Sequence, residues 1–310
     1  MIKMDIFSSF ILFVAGIAVL IKASDVAVDL SLKFSEITGM MKLSVGMIII
    51  GTMTSLPEFA IAMTSSIANA NQIMFGNLVG GSFTDLFFVM GIGAVLYGLR
   101  ISKEDLRKGV EIFIITSGLL VYGLFWGFDS VFGLMAIILF ILFSESLLSG
   151  KNRSGKNKTR YNRGVLKILI KISAAVALIV LAAEAVTYST KAISAEFGIA
   201  ESLIGATIIA LSTTAPELCV TIAAGRKNEF DLLVGNLFGS CFVNIALIMG
   251  ISAVIAPISF GLSQLVLVAA LLGAYFTVYL FSANRQIDRF QGIILLSMYA
   301  LYLIVMVTIA

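Results

Sequence analysis

Two acidic residues stand directly after prolines inside long apolar runs, Glu58 in "GTMTSLPEFA" (residues 51–60) and Glu217 in "ALSTTAPELC" (residues 210–219). A carboxylate in hydrocarbon is costly, and a proline interrupts the hydrogen-bond ladder on which a membrane helix depends. Pro57 cannot donate to the carbonyl of Met53, and Pro216 likewise frees that of Ser212. Thr54 lies four residues and Ser55 three residues before Glu58, so a helix puts all three on one face. Thr213 and Thr214 repeat the pattern before Glu217. The set is two carboxylates, four hydroxyls and several backbone carbonyls, all oxygen. Such donors select hard cations. Calcium accepts about 6–8 oxygens in flexible geometry, whereas magnesium demands a tighter octahedron. Two facing carboxylates without a cation repel each other, so emptying the site requires replacement cations, the physical basis of antiport. The chain contains no histidine, which counts against a transition-metal site or a histidine proton relay.

The segments after each glutamate add Asp85 in "GNLVGGSFTD" and Asn244 in "GNLFGSCFVN". Gly81 and Ser82 lie one helical turn before the first, and Ser240 and Cys241 one turn before the second. The glycines permit close helix packing, which brings these side chains within reach of the Glu58–Glu217 centre. Asn77 and Asn236 read as helix-start or packing residues. Cys219 and Cys241 read as small buried hydrophobes, and two cysteines make no disulfide framework.

The elements that must position these groups are membrane helices. Of 310 residues, 59% are hydrophobic and 13% charged, against roughly 25% charged in soluble domains. Apolar runs long enough to span a bilayer recur throughout, without the short alternation of a β-barrel. The fold class expected is an all-α polytopic membrane protein with ten spans, near residues 6–32, 42–70, 73–98, 107–124, 130–149, 164–192, 200–225, 230–256, 262–281 and 290–309. The first apolar stretch has no A-x-A-like site after it and is expected to remain uncleaved. A basic linker, 150–163, separates a first five-helix half (1–149) from a second (164–310). One set of loops carries Lys33, Lys42, Arg100, Lys103, Arg107, Lys108, the linker's cations, Arg226, Lys227, Arg285 and Arg289; the other holds little beyond Lys3 and Lys191. The positive-inside rule puts the first set, linker included, in the cytoplasm and both termini outside. Asp25 is expected to pair locally with Lys22 or to sit at a rim, Asp29, Glu111 and Glu145 to be interfacial, and Trp126 to anchor at an interface.

A shift of 159 residues superposes the halves. Thr54, Pro57 and Glu58 fall on Thr213, Pro216 and Glu217, and Asn77 and Leu78 on Asn236 and Leu237. Gly39, Gly46, Gly76, Gly80 and Gly91 fall on Gly198, Gly205, Gly235, Gly239 and Gly250, and Asp25 falls on Glu184. The register holds from Asp25 to Ile92 without a gap. Five spans per half make the second half cross inverted, and inverted repeats put their binding site near the midplane, where broken helices meet.

At these motifs, residues 51–92 and 210–251, the sequence resembles the sodium/calcium exchanger branch of the cation/calcium antiporter superfamily, whose paired repeats read approximately G-T-S-L-P-E followed by G-N-x-x-G-S-x-x-x-N/D. The resemblance covers essentially the whole chain. It implies ion ligands at Glu58, Glu217, Thr54, Ser55, Thr213, Thr214, Ser240, Asp85 and Asn244 with the backbone of Gly51 and Ala210, and Ser82 joins this set. It also implies exchange of several sodium ions for one calcium ion, with the first and sixth helices sliding against the rest. Implied partners are calcium, sodium and the bilayer of the cell membrane. No cofactor, nucleic acid or regulatory domain in the short linker is expected, and the oligomeric state is left open. The family's motif glycine is Met53 here and Ser212 in the second repeat, where its serine is Thr214; the serine expected at 81 is Gly81, and the acid and amide at 85 and 244 have exchanged places. Proton-driven calcium exchange, potassium co-transport and another divalent cation are the alternatives within transporters. Of other classes, an intramembrane enzyme needs an asymmetric acid and base, where the repeats present near-identical groups, and a passive channel has no use for a closed acidic centre.

Overall fold

Long runs of Leu, Ile, Val, Ala and Phe without interior breakers have no way to satisfy their backbone in hydrocarbon except as helices. The computed structural model describes residues 6–149, 163–196, 201–258 and 261–309. Linker residues 150–162, Lys3 and Gly198 lie outside the described residues, as do the side chains of 201–212, Ala210 among them.

The first half holds α1 (Ile6–Thr38), α2 (Lys42–Ser44), a π-helical turn (Val45–Ile50), α3 (Gly51–Thr54), α4 (Leu56–Ile67), α5 (Asn71–Thr84), a second π turn (Asp85–Val89), α6 (Met90–Tyr97), β1 (Leu99–Arg100), α7 (Lys103–Trp126) and α8 (Ser130–Ser149). The second half holds α9 (Arg163–Glu196), α10 (Glu201–Arg226), α11 (Phe230–Phe242), a third π turn (Val243–Ile248), α12 (Met249–Ile255), α13 (Leu262–Ser282), β2 (Gln286–Ile287) and α14 (Arg289–Ile309). Among the described residues seven helices are long and apolar enough to cross a membrane, or eight with the bent pair 42–54 and 56–67 counted as one span. Segments Asn71–Tyr97 and Phe230–Ile255 are 72% and 78% buried, against 28–39% for the other five, so these two form the centre and the rest the lipid-facing belt.

Local structures recur 159 residues apart, both inside the 25–92 register and beyond it. Asn69 and Asn228 both close helices in the left-handed conformation, at φ 56° and 57°, a region asparagine tolerates better than most residues. Asp105 caps Ser102 N–H at 3.0 Å, and Gln264 caps Gly261 N–H at 3.0 Å. Asp129 accepts from the N–H groups of Val131 and Phe132, and Asp288 from that of Gln291. Partners are exchanged between halves in the same register. α6 packs on α14 and α12 on α8, while α5 packs on α13 and α11 on α7. Leu99 pairs with Ile287 across β1 and β2, and its counterpart Ile258 pairs with Phe128. Gly91 meets Gly292, and Gly250 meets Gly133, close enough that an added Cβ on any of the four would lie within 3.2 Å of its partner's carbonyl oxygen.

α1 packs along α9, its counterpart, and against α10. Asp25 pairs not with Lys22 but with Arg226 at the end of α10, and Lys227 reaches Asp29 at 2.5 Å and the Asp25 carbonyl at 3.1 Å. Three residues along α1 offered a local partner; the fold brings a guanidinium from 201 residues away instead. Asp25 itself is half-buried. Glu111 takes Lys108 at 2.8 Å, Glu145 is exposed, and Trp126 is exposed at the end of α7, stacked on Tyr122.

Candidate cation site

Three π turns occur among the described residues, and each abuts a residue singled out for ion binding. Val45–Ile50 leads into Gly51, Asp85 opens the second turn and Asn244 is the second residue of the third. A π turn inserts one residue into a helix and rotates the next helical turns about its axis, and such insertions concentrate at functional sites.

The proline in the first half ends one helix and starts another. Ser55 leaves helical geometry (φ −77°, ψ 11°), Pro57 occupies the first turn of α4, and the two arms meet at 48°. Thr54, Ser55 and Glu58 therefore flank a break, where the spacing had placed them on one continuous helix face. The second half differs. Pro216 lies inside a continuous α10, its missing hydrogen bond carried within the helix as an interior proline can be.

The broken helix reaches the centre by backbone contact. A Cβ added to Gly46 would lie 2.6 Å from the Leu232 carbonyl oxygen, one on Gly51 2.9 Å from the Ser240 nitrogen, and one on Gly239 2.3 Å from the Met47 carbonyl oxygen. Only glycine allows two helices so close. The Gly51 carbonyl accepts from Ser55 N–H at 3.2 Å and from the Thr54 hydroxyl at 3.3 Å. Thr54 Oγ1 also lies 3.3 Å from Asn236 Oδ1 and 3.4 Å from Ser240 Oγ. The hydroxyls of Thr54 and Ser240 both face the Glu217 carboxylate. On the other side Asn77 donates to the Glu58 carbonyl at 3.3 Å, and Gly81 faces Asn244 and Glu58 at ordinary contact distance. Cys241 Sγ approaches the Ser82 carbonyl at 3.6 Å, while Ser82 Oγ donates back to Leu78 at 2.9 Å.

Thr54, Ser55, Glu58, Ser82, Asp85, Thr214, Glu217, Ser240 and Asn244 are all buried, and Thr213 is half-buried. Asn236, read from sequence as packing, is fully buried among them, and its offset partner Asn77 holds the Glu58 backbone. Their shared position in the two G-N motifs was the available signal. Glu58 interacts electrostatically with Glu217 and Asp85, and Asp85 with Glu217, with no cationic side chain among the groups acting on either. Ser55 Oγ, Glu58 Oε2, Asp85 Oδ1, Glu217 Oε2, Asn236 Nδ2 and Asn244 Oδ1 are buried without hydrogen-bond partners. Burying a polar atom unpaired costs about 1–3 kcal/mol, and more for a charge. Among the described residues no three acidic or thiol groups form a ready-made metal cluster. Hydroxyls, amides and backbone carbonyls surround separate carboxylates instead. Five of the six unpartnered atoms are oxygens, which suits a bound cation.

A family model described as sodium/calcium exchanger protein matches residues 8–148 and 167–308. The chain belongs to the sodium/calcium exchanger family. Membrane protein MJ0091 of Methanocaldococcus jannaschii is 27% identical over 93% of this chain and 94% of its own length. Sodium/calcium exchanger MaX1 of Methanosarcina acetivorans is 25% identical over 96% of this chain and 98% of its own. A structure of the sodium-calcium exchanger NCX_Mj, soaked with sodium and strontium, aligns at TM-score 0.83 and 25% identity over 95% of this chain and 97% of that one. This exchanger-family chain is thus a transporter rather than an enzyme, and its family supports cation/calcium antiport.

Proposed function

We propose that the protein exchanges sodium for calcium across the cell membrane by alternating access at the carboxylate centre. The observation that carries this reading is the group of buried, unpartnered oxygens on Ser55, Glu58, Asp85, Glu217 and Asn244, drawn from both halves, with no cationic side chain among the described residues acting on Glu58 or Asp85. Calcium is the divalent substrate, coordinated by Glu58 and Glu217 with Asp85 and Asn244. Thr54, Ser55, Thr213, Thr214, Ser240 and Ser82, with the carbonyls of Gly51 and Ala210, complete the calcium and sodium positions. Hydroxyls beside both glutamates favour sodium as the counter-ion, since protons need no such ligands.

The architecture is ten spans in two inverted five-helix repeats, 1–149 and 164–310. The exchanged pairs support it: Leu99–Ile287 joins two loops of the basic set and Phe128–Ile258 joins two loops of the other set. The linker and the basic loops face the cytoplasm, and both termini face outward. The absence of a serine at position 81 favours one second reading, proton-driven calcium exchange, in which the carboxylates load protons. Calcium uptake into proteoliposomes under outward sodium, proton or potassium gradients tests the two. Uptake that requires outward sodium supports the first; uptake that tracks the proton gradient and ignores sodium replaces it with the second.

A further inference from the structure

Asn236 has a hydrogen-bonding conflict whose resolution gives it a role. Thr54 Oγ1 is 3.3 Å from two acceptors, the Gly51 carbonyl and Asn236 Oδ1, yet a hydroxyl carries one proton. At the other end of the same amide, Asn236 Nδ2 is buried and makes no hydrogen bond. The two ends of an asparagine amide have the same shape, and a half-turn exchanges them. With the amide turned, Asn236 N–H donates to Thr54 Oγ1, and the Thr54 proton is left for the Gly51 carbonyl or the Glu217 carboxylate with no claim from Asn236. The unpartnered end is then an oxygen. At the other end of the amide stands Thr54 Oγ1, which together with Ser240 Oγ, 3.4 Å from it, faces Glu217.

From this arithmetic we infer that Asn236 presents its amide oxygen to a monovalent cation held beside Glu217. The donors grouped there are neutral apart from one carboxylate, which balances a single positive charge; the divalent position draws on Glu58 and Asp85 as well. The inference rests on the sodium-coupled reading above and extends it to a residue outside the predicted ligand set.

The test uses the purified full-length chain, with its thermal unfolding midpoint measured against sodium chloride and, separately, calcium chloride. Binding to the folded state raises the midpoint, so half-saturation reads affinity without transport. Asn236→Leu is expected to raise the sodium half-saturation about tenfold, equivalent to about 1.4 kcal/mol, and to move that of calcium less than about threefold. Asn236→Asp keeps an oxygen at the free end and loses the N–H, and is expected to bind sodium within about threefold of wild type. The assignment is overturned if Asn236→Leu leaves sodium affinity unchanged, if it weakens calcium equally, or if Asn236→Asp loses tenfold, which would make the amide only a donor to Thr54. Should Asn236→Leu fail to fold, the Asn236→Asp result decides alone. A wild-type chain stabilised by calcium but not by sodium overturns the sodium reading and this assignment together, whereas a normal wild-type response with a silent Asn236→Leu overturns the assignment alone.

Discussion

Gly239→Ala adds one methyl group at the tightest of the helix contacts that set the site. The new Cβ would lie 2.3 Å from the Met47 carbonyl oxygen and 2.5 Å from Met47 Cα, both backbone atoms of the arm that carries Thr54. Non-bonded atoms settle at about 3.5 Å, so the arm must withdraw by about 1 Å. Thr54 Oγ1 already stands 3.3 Å from Asn236 and 3.4 Å from Ser240, at the limit of a hydrogen bond, and a further ångström breaks both contacts. Overpacking of this kind costs about 1–3 kcal/mol of stability. A 1 Å misplacement at a site costs about 100-fold in rate. The assay is calcium flux in proteoliposomes beside thermal unfolding of the same preparation. Gly118→Ala on α7 is the control, because its Cβ meets nothing within 4 Å; its flux and midpoint should stay at wild type or rise slightly. If Gly239→Ala transports within about twofold of wild type, the backbone contact does not position Thr54 for ion binding.

Glu58→Gln and Glu217→Gln each remove one charge from a buried cation site. A lost partner of this kind costs roughly 2–5 kcal/mol, so calcium flux should fall by about two orders of magnitude while the protein still purifies folded; near-wild-type flux in both would dismiss the carboxylates as ligands. Asp85→Asn and Asn244→Asp should each impair flux, the first by losing a charge and the second by adding a fourth acid, and the double exchange should recover much of the loss. Simple addition of the two losses in flux at several sodium concentrations would show that the residues do not share a site. Gly81→Ser is expected to fold, because a Cβ there stands 3.9 Å from Asn244 Nδ2 and 4.0 Å from Glu58 Cγ. Its hydroxyl should lower the sodium concentration needed for half-maximal flux, and no change would remove position 81 from the sodium path.

The membrane class, the repeat and the acidic residues of the centre were legible because each is a local property. Apolar runs, a proline before a glutamate and an offset of identities need no partner to be recognised. The identities carried further than Ile92, since Asp129 and Gly133 fall on Asp288 and Gly292, but their meaning as caps and contacts came from the fold. Partner choice was not legible. Lys22 was near Asp25 in sequence, yet helix direction and packing delivered Arg226. The two halves carry the same proline, yet one helix breaks at Ser55 and the other runs on through Pro216. Asn236 carried no chemical mark to separate a packing amide from one inside the site; only the approach of Gly46 and Gly51 to α11 brought Thr54 against it. Sequence by itself determined which acids and hydroxyls lie within long apolar helices and that the pattern recurs 159 residues on. Tertiary structure decided which of them meet, because contact between residues 182 positions apart depends on how closely two backbones can pack, a quantity set by every side chain between them.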